Sequence, residues 1–217
     1  MSLGPIRGDD LTALHEAFML DTVGNMLAIE SVDVRLYHND LPDQRRSAKL
    51  AIEVASKRGK SDNPKLTVHE RARERWGVRI EAVFQDCFES GYKHVLMIGS
   101  RTPTITSNMM STAIRMLRES DAVFGPTPEG RYYVIGMSGS SRIDLSKFDW
   151  TSAHIYSDVA QAFTKKKLSW SELEIWYVVE SADDLEIMVR DINQYRFEGD
   201  EESARHTEAV LERLHQS

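Results

Sequence analysis

Arginines and glutamates supply most of the reactive side chains that fall in a pattern in this sequence. Arg71, Arg73, Arg75 and Arg79 are interleaved with Glu70, Glu74 and Glu81. Charges at that spacing read first as a salt-laced helix, with an anion site as the alternative, because guanidinium forks suit carboxylate and phosphate oxygens. Lys165-Lys166-Lys167 closes a helical stretch, where cations suit the negative end of the dipole, and reads as a solvated face. Seven histidines, at 15, 38, 69, 94, 154, 206 and 215, include no pair at metal-ligand spacing, so a zinc site is not expected. His94 heads an apolar run and reads as a strand-end residue rather than a base; Cys87 lies on an apolar helical face and reads as core. The sequence holds no Gly-x-x-x-x-Gly-Lys-[Ser/Thr], Gly-x-Gly-x-x-Gly, His-Glu-x-x-His or Cys-x-x-Cys.

The elements that must position such residues follow from periodicity. Leu11, Leu14, Phe18, Met19, Val23, Met26 and Leu27 mark a helix over 11–27, with Asp9 and Asp10 at its positive end. Residues 32–37 alternate as a strand with one covered face, 48–55 fit a short helix, and 57–64 read as an exposed loop. Trp76, Ile80, Val83, Phe84, Cys87 and Phe88 fall on one helical face, ending near Gly91. The run 94–99 has the continuous apolar character of a buried parallel strand. Pro103 breaks the chain before a helix with Met110, Ala113, Ile114 and Leu117 on one stripe. Strands at 122–124 and 132–135 flank the turn-rich loop 125–131. A helix over 152–166, a strand over 173–179 and helices over 182–194 and 203–215 complete the reading. Alternating strands and helices imply a mostly parallel sheet, whose ligands sit beyond the carboxyl ends of the strands. That singles out the loops after Ile98, Phe124 and Val179.

Composition narrows the class. The 217 residues carry 27 Lys+Arg against 34 Asp+Glu, or 27 − 34 = −7. That balance argues against a general grip on nucleic acid or an anionic membrane. No apolar run approaches the ~20 residues that span a bilayer. A single cysteine and a start without a basic region and apolar stretch fit a cytoplasmic protein. The length suits one domain over 1–217, with 1–3 expected to be an expression leader.

Three segments, in order and spacing, resemble a known family: Gly77-Val78-Arg79-Ile80-Glu81-Ala82-Val83-Phe84, the run Val95 to Pro103, and the run Gly125 to Met137. Trp150-Thr151, Val178 to Leu185, and the first helix with Phe18 and Asp21-Thr22 extend the match over nearly the whole chain. The family is bacterial and similar to GT-A glycosyltransferases, known as selenodomain-associated or nucleotide-diphospho-sugar transferases of largely unknown function. The resemblance implies an α/β fold, a three-layer α/β/α sandwich with a mostly parallel (mixed) sheet. Its first strand, which precedes the first helix in the family, is expected to be missing here. The uncovered sheet edge would then favour a homodimer.

The departures from the family pattern carry their own expectations. Arg101 stands where the family reads Gly-Ser-Asp-x-Pro, Glu129-Gly130-Arg131-Tyr132 where it reads Asp-Gly-Gly-Tyr, and Val178 and Glu180 at its Asp-x-Asp positions. The resemblance implies a donor site at Gly99, Ser100, Arg101, Glu129, Gly130, Arg131 and Glu180, with Glu129 as base for an acceptor hydroxyl. The family's cofactor is a divalent cation, Mg²⁺ or Mn²⁺, held by carboxylates. A guanidinium at 101 repels such a cation, so the expectation here is no metal residue and a cradle of Arg101, Arg131 and Arg79 for a nucleotide-sugar or other phosphorylated molecule. The expected activity is glycosyl transfer from a nucleotide-diphospho-sugar. The alternatives are an inactive relative that binds an anionic ligand or partner protein, and a nucleotidyltransferase of the same fold.

Overall fold

A computed structural model describes residues 3–30, 32–57, 66–71 and 74–216. The described elements are α1 (Gly8–Leu27), β1 (Val34–Asn39), α2 (Pro42–Lys57), β2 (Leu66–Arg71), α3 (Trp76–Glu89), β3 (His94–Ile98) and α4 (Ser107–Glu119). They continue with β4 (Ala122–Pro126), β5 (Tyr132–Ser138), a 3₁₀ turn at Leu145–Lys147, α5 (Ile155–Lys165), β6 (Trp170–Glu172), α6 (Ala182–Phe197) and α7 (Arg205–His215). The loop expected over 57–64 lies, apart from Lys57, outside the described residues. No helix among the described residues is long and apolar enough to cross a membrane.

The chain divides into two compact units. The first comprises residues 1–70, 100–109 and 178–217; the second comprises 71–99 and 110–177.

In the first unit, Met19, Leu20 and Val23 of α1 form an apolar core with Ala51 of α2. Leu36 of β1 and Leu66 of β2 pack against that core, so the two-stranded β1–β2 sheet covers it with one face. The helix expected over 48–55 is a full 16 residues long, because polar positions in its first turns face solvent and hide the apolar stripe from a periodicity reading. Leu3 is buried. The segment after β3 is pinned at two backbone oxygens: Asn25 Nδ2 donates to Ile105 O (2.8 Å) and Tyr195 Oη to Thr104 O (2.6 Å). Burial lifts the Tyr195 hydroxyl's pKa well above its ordinary value, so it acts as a donor.

The second unit is built on a four-stranded sheet in the order β3-β5-β4-β6. The mixed α/β architecture agrees with expectation, and in this sheet β3, β4 and β6 run in one direction while β5 runs against them. β5 runs antiparallel to both β3 and β4, and only β6 runs parallel to its neighbour β4. The cause is the short loop 127–131, which can only return the chain as a hairpin. β5 thereby inserts between β3 and β4, which stay parallel to each other as a helical crossover requires. The strand expected over 173–179 is corrected. The ladder with β4 ends at Glu172, and the next residues follow β4 only through Leu173 N to Phe124 O (2.8 Å) and Trp176 N to Pro126 O (3.1 Å).

Phe124 is the hub of this unit's core. Its fully buried ring lies 5.3–6.2 Å from the rings of Phe163, Trp170, Tyr132 and Tyr156, three of them edge-on. Tyr132 continues the cluster to Trp150 at 5.9 Å, and its hydroxyl donates to Tyr156 O (2.9 Å).

Candidate functional site

In the first unit, the loop after β3 and the segment entering α6 meet at Arg101. Val179 N donates to Arg101 O (2.9 Å), a backbone tie that fixes the two stretches side by side. Above it, the Arg101 guanidinium meets Glu180 Oε1 at 2.8 Å, with side chains 36% and 38% exposed. Two residues at positions that the resemblance makes acidic are therefore joined as an ion pair. Thr102, Pro103, Thr104 and Ile105, just beyond, are buried, so Arg101 projects from an anchored support. Gly99 and Ser100 are exposed at the end of β3.

The third acidic position of that segment, Asp184, serves the helix. Its Oδ2 accepts from Glu180 N (3.0 Å), Ser181 N (2.8 Å) and Ser181 Oγ (2.7 Å), while Ser181 Oγ accepts from Asp184 N (3.2 Å). This is a capping box on α6. Among the described residues, no group of three or more His, Cys, Asp or Glu could hold a metal ion. With a guanidinium on Glu180 and Asp184 committed to a cap, this donor set does not fit a divalent cation.

His15 of α1 is the first-unit residue that sequence reading missed. Its Nε2 is buried without a hydrogen-bond partner, its ring lies 6.2 Å from Phe18, and it feels the charge of Arg101. No signal in the sequence connects positions 15 and 101. Burial, and then Arg101, hold the imidazole below its ordinary value of 6.5. Between the lowered folded value and about 6.5 the unfolded chain binds more protons, so this group's contribution to stability falls as pH drops through that window. Thermal melts between about pH 7.5 and 5 should show that loss. His15→Gln should flatten it, and parallel profiles for the two proteins would remove His15 as its source.

In the second unit, Glu129, Gly130 and Arg131 occupy the β4–β5 turn. Thr127 N donates to Arg131 O (2.9 Å), Gly130 N to Thr127 O (3.0 Å) and Arg131 N to Thr127 Oγ1 (3.2 Å). Gly130 has φ +74, and a Cβ there would stand 2.4 Å from Ala153 O, so the turn requires glycine. Gly130 O in turn accepts from Tyr156 N at the start of α5 (3.1 Å). The result is a rigid tip that presents Glu129 and Arg131 to solvent. The Tyr132 hydroxyl beside it is held far above its ordinary range by burial, with Asp158 and Glu172 adding to the effect, and does not serve as a base at neutral pH.

Arg79, the remaining expected residue, lies on the first turn of α3, its guanidinium carbon 4.7 Å from the centroid of Trp76. Trp76 itself corrects an expectation. Ile80, Phe84 and Cys87 of the apolar stripe are buried, but Trp76 is 54% exposed. Helical spacing cannot tell the last turn of a buried stripe from the first residue beyond it. The structure thus joins Arg101 to Glu180 in the first unit and gathers Glu129, Gly130 and Arg131 at one turn in the second, with Arg79 on α3.

Comparison with known proteins gives the fold and the family. A crystal structure named "putative nucleotide-diphospho-sugar transferase" from Desulfovibrio desulfuricans G20 aligns with a TM-score of 0.78 and 22% identity, covering 97% of this chain and 89% of that one. A cytidylyltransferase from Leptospira borgpetersenii serovar Hardjo-bovis (strain JB197) aligns at 0.48 and 11% identity, over 77% of this chain and 67% of that one. The first likeness shows that the chain has a nucleotide-diphospho-sugar transferase-like fold. No curated protein matches the sequence. Residues 22–152 match the family described as "Uncharacterized protein conserved in bacteria (DUF2064)", and the chain belongs to that family.

Proposed function

We propose that this protein is a glycosyltransferase-like enzyme that holds the diphosphate of a nucleotide-activated sugar with arginine where relatives of this fold use a divalent cation. The observation that carries the reading is the Arg101–Glu180 pair on its anchored loop. A half-exposed pair of this kind is worth at most about 1 kcal/mol. A diphosphate brings more charge and a better match to the guanidinium fork than one carboxylate, so it can displace Glu180. In transfer, the bond from the anomeric carbon to the diphosphate oxygen breaks and a bond from that carbon to the acceptor oxygen forms. Arg101 neutralises the departing charge, and the acceptor proton passes to a general base. The same grip would serve nucleotidyl transfer.

A second reading has support of its own. Glu180 is tied to Arg101 and Asp184 to the α6 cap, which leaves the carboxylates of that segment occupied. That pattern also suits a non-catalytic relative that binds an anionic ligand or partner protein.

Thermal-shift titration with UDP-, GDP- and CDP-sugars, with and without Mn²⁺, separates the readings. The transferase reading expects stabilisation by at least one nucleotide-sugar, unchanged by the metal. Metal-dependent stabilisation would overturn the arginine grip, and silence toward every nucleotide would favour the non-catalytic relative. Arg101→Ala should weaken the bound nucleotide by about 1–3 kcal/mol, the range for hydrogen bonds to charged groups.

A further inference from the structure

Arg79 differs from Arg71 and Arg142 of the second unit in its electrostatic surroundings. Arg71 is paired with Asp86 (2.6 Å) and Arg142 with Glu81 (3.1 Å). Glu81, two positions along α3 from Arg79, has its other oxygen taken by Leu145 N (2.8 Å). Arg79 has no carboxylate partner among the described residues, and burial alone pulls its pKa below the ordinary arginine value. A half-buried cation without a counterion is a cost to the fold that a bound anion would relieve.

The surroundings of that cation are suited to a ligand. Its guanidinium carbon lies over the Trp76 indole, a cation–π contact that takes up none of the five N–H donors of the fork in a hydrogen bond. The indole is the larger of the two planes and 54% exposed, so apolar surface remains open beside the guanidinium. The turn that carries the pair is held still: a Cβ at Gly77 would lie 3.0 Å from Trp150 Cδ1 and 3.1 Å from Leu145 O. Trp150 is itself fixed by its Nε1 donating to Leu145 O (2.9 Å). A pre-organised aromatic face beside an unneutralised fork meets the description of a small-molecule subsite.

We infer that Trp76 and Arg79 form a subsite for an anionic monosaccharide, the indole packing on the sugar ring and the guanidinium taking its oxyanion in a bidentate pair. The 4.7 Å between guanidinium carbon and indole centroid sets the scale. It accommodates an oxyanion on or one bond from a single ring, whereas the ribose of a nucleotide separates base from phosphate by more. Phosphorylated sugars and uronates share this chemistry. The inference does not rest on the transfer reading, since binding here needs neither nucleotide nor turnover.

Isothermal titration of the full chain with glucose 1-phosphate, glucuronate, glucose, UMP and inorganic phosphate tests it. Glucose 1-phosphate, glucuronate or both should bind; which one does identifies the oxyanion. Neutral glucose should fail, and inorganic phosphate and UMP should bind at least about tenfold more weakly. Arg79→Gln and Arg79→Lys should each lower sugar-anion affinity about tenfold or more, since glutamine lacks the charge and lysine lacks the planar five-donor fork. Trp76→Ala should lower it several-fold with an unchanged melting temperature, and Trp76→Phe should restore part of the loss. Arg101→Ala should leave it unchanged, which separates this subsite from the diphosphate grip. No heat with either sugar anion at millimolar concentration, equal affinity for phosphate or UMP, or binding that survives both Trp76→Ala and Arg79→Gln would overturn the inference.

Discussion

Phe124→Ala is expected to destabilise the second unit by about 3–5 kcal/mol, the range for emptying a buried aromatic site. The side chain is fully buried in β4, every residue of which is buried. Four aromatic rings converge on it, and truncation removes those contacts and leaves a void that stiff rings cannot refill. For a chain of this length, each kcal/mol moves the melting temperature by roughly 2–4 °C, so a drop of about 6–20 °C should be seen by calorimetry. Phe124→Leu keeps most of the volume and should recover more than half of it. The loss has a functional side. Tyr132, next to the 127–131 turn, packs on Phe124 and bonds to Tyr156, which also holds Gly130 O, so the turn should loosen before the unit melts. A loss below about 1 kcal/mol would mean that the cluster is loosely packed and does not set the turn.

How far these features can be read from residues depends on the range of the forces that place them. The apolar stripe of α1, the run in β3 and the periodic spacing in α4 rest on local rules, and those elements stand where spacing puts them. β2 escapes the same rules because its apolar alternation is only Leu66 and Val68 before Glu70 and Arg71, too short to mark a strand. The sheet's pair directions depend on which strand β5 chooses, a long-range matter that no alternation of apolar residues records. In the candidate site, the chemical type of Arg101 and Glu180 was legible, since resemblance marks both positions. Their union was not: they lie 79 positions apart, and the Val179–Arg101 backbone tie sets the two stretches side by side. Trp76 and His15 show the opposite case, residues of ordinary pattern whose significance comes from exposure and from a missing partner.

Asp21→Ala should cost the first unit about 2–5 kcal/mol, although Asp21 belongs to the stretch of α1 that matches the family. Its carboxylate is buried and accepts from His206 N (3.0 Å) and Thr207 N (2.8 Å), the first turn of α7. That helix cannot cap itself: the residue before it, Ala204, is left-handed at φ 55 and has no side-chain acceptor. Asp21 supplies the cap from another helix and, with its negative charge, suits the positive end of the α7 dipole. Burial pushes its carboxyl above the usual carboxylate range, while the bonds from Thr207 and His206 pull it back. Removing the side chain strands the buried Thr207 N–H and the partly buried His206 N–H, each costing up to about 1–3 kcal/mol. Asp21→Asn keeps one acceptor oxygen and should recover roughly half of the loss. Denaturant melts report the stability change, and hydrogen exchange should show faster opening at His206 and Thr207 before the rest of the first unit. Below the melting temperature, the nucleotide-sugar shift of the wild type should persist in Asp21→Asn. An Asp21→Asn variant of full stability that had lost that shift would instead make Asp21 a ligand-binding residue, and the reading of this carboxylate as a helix cap would fail.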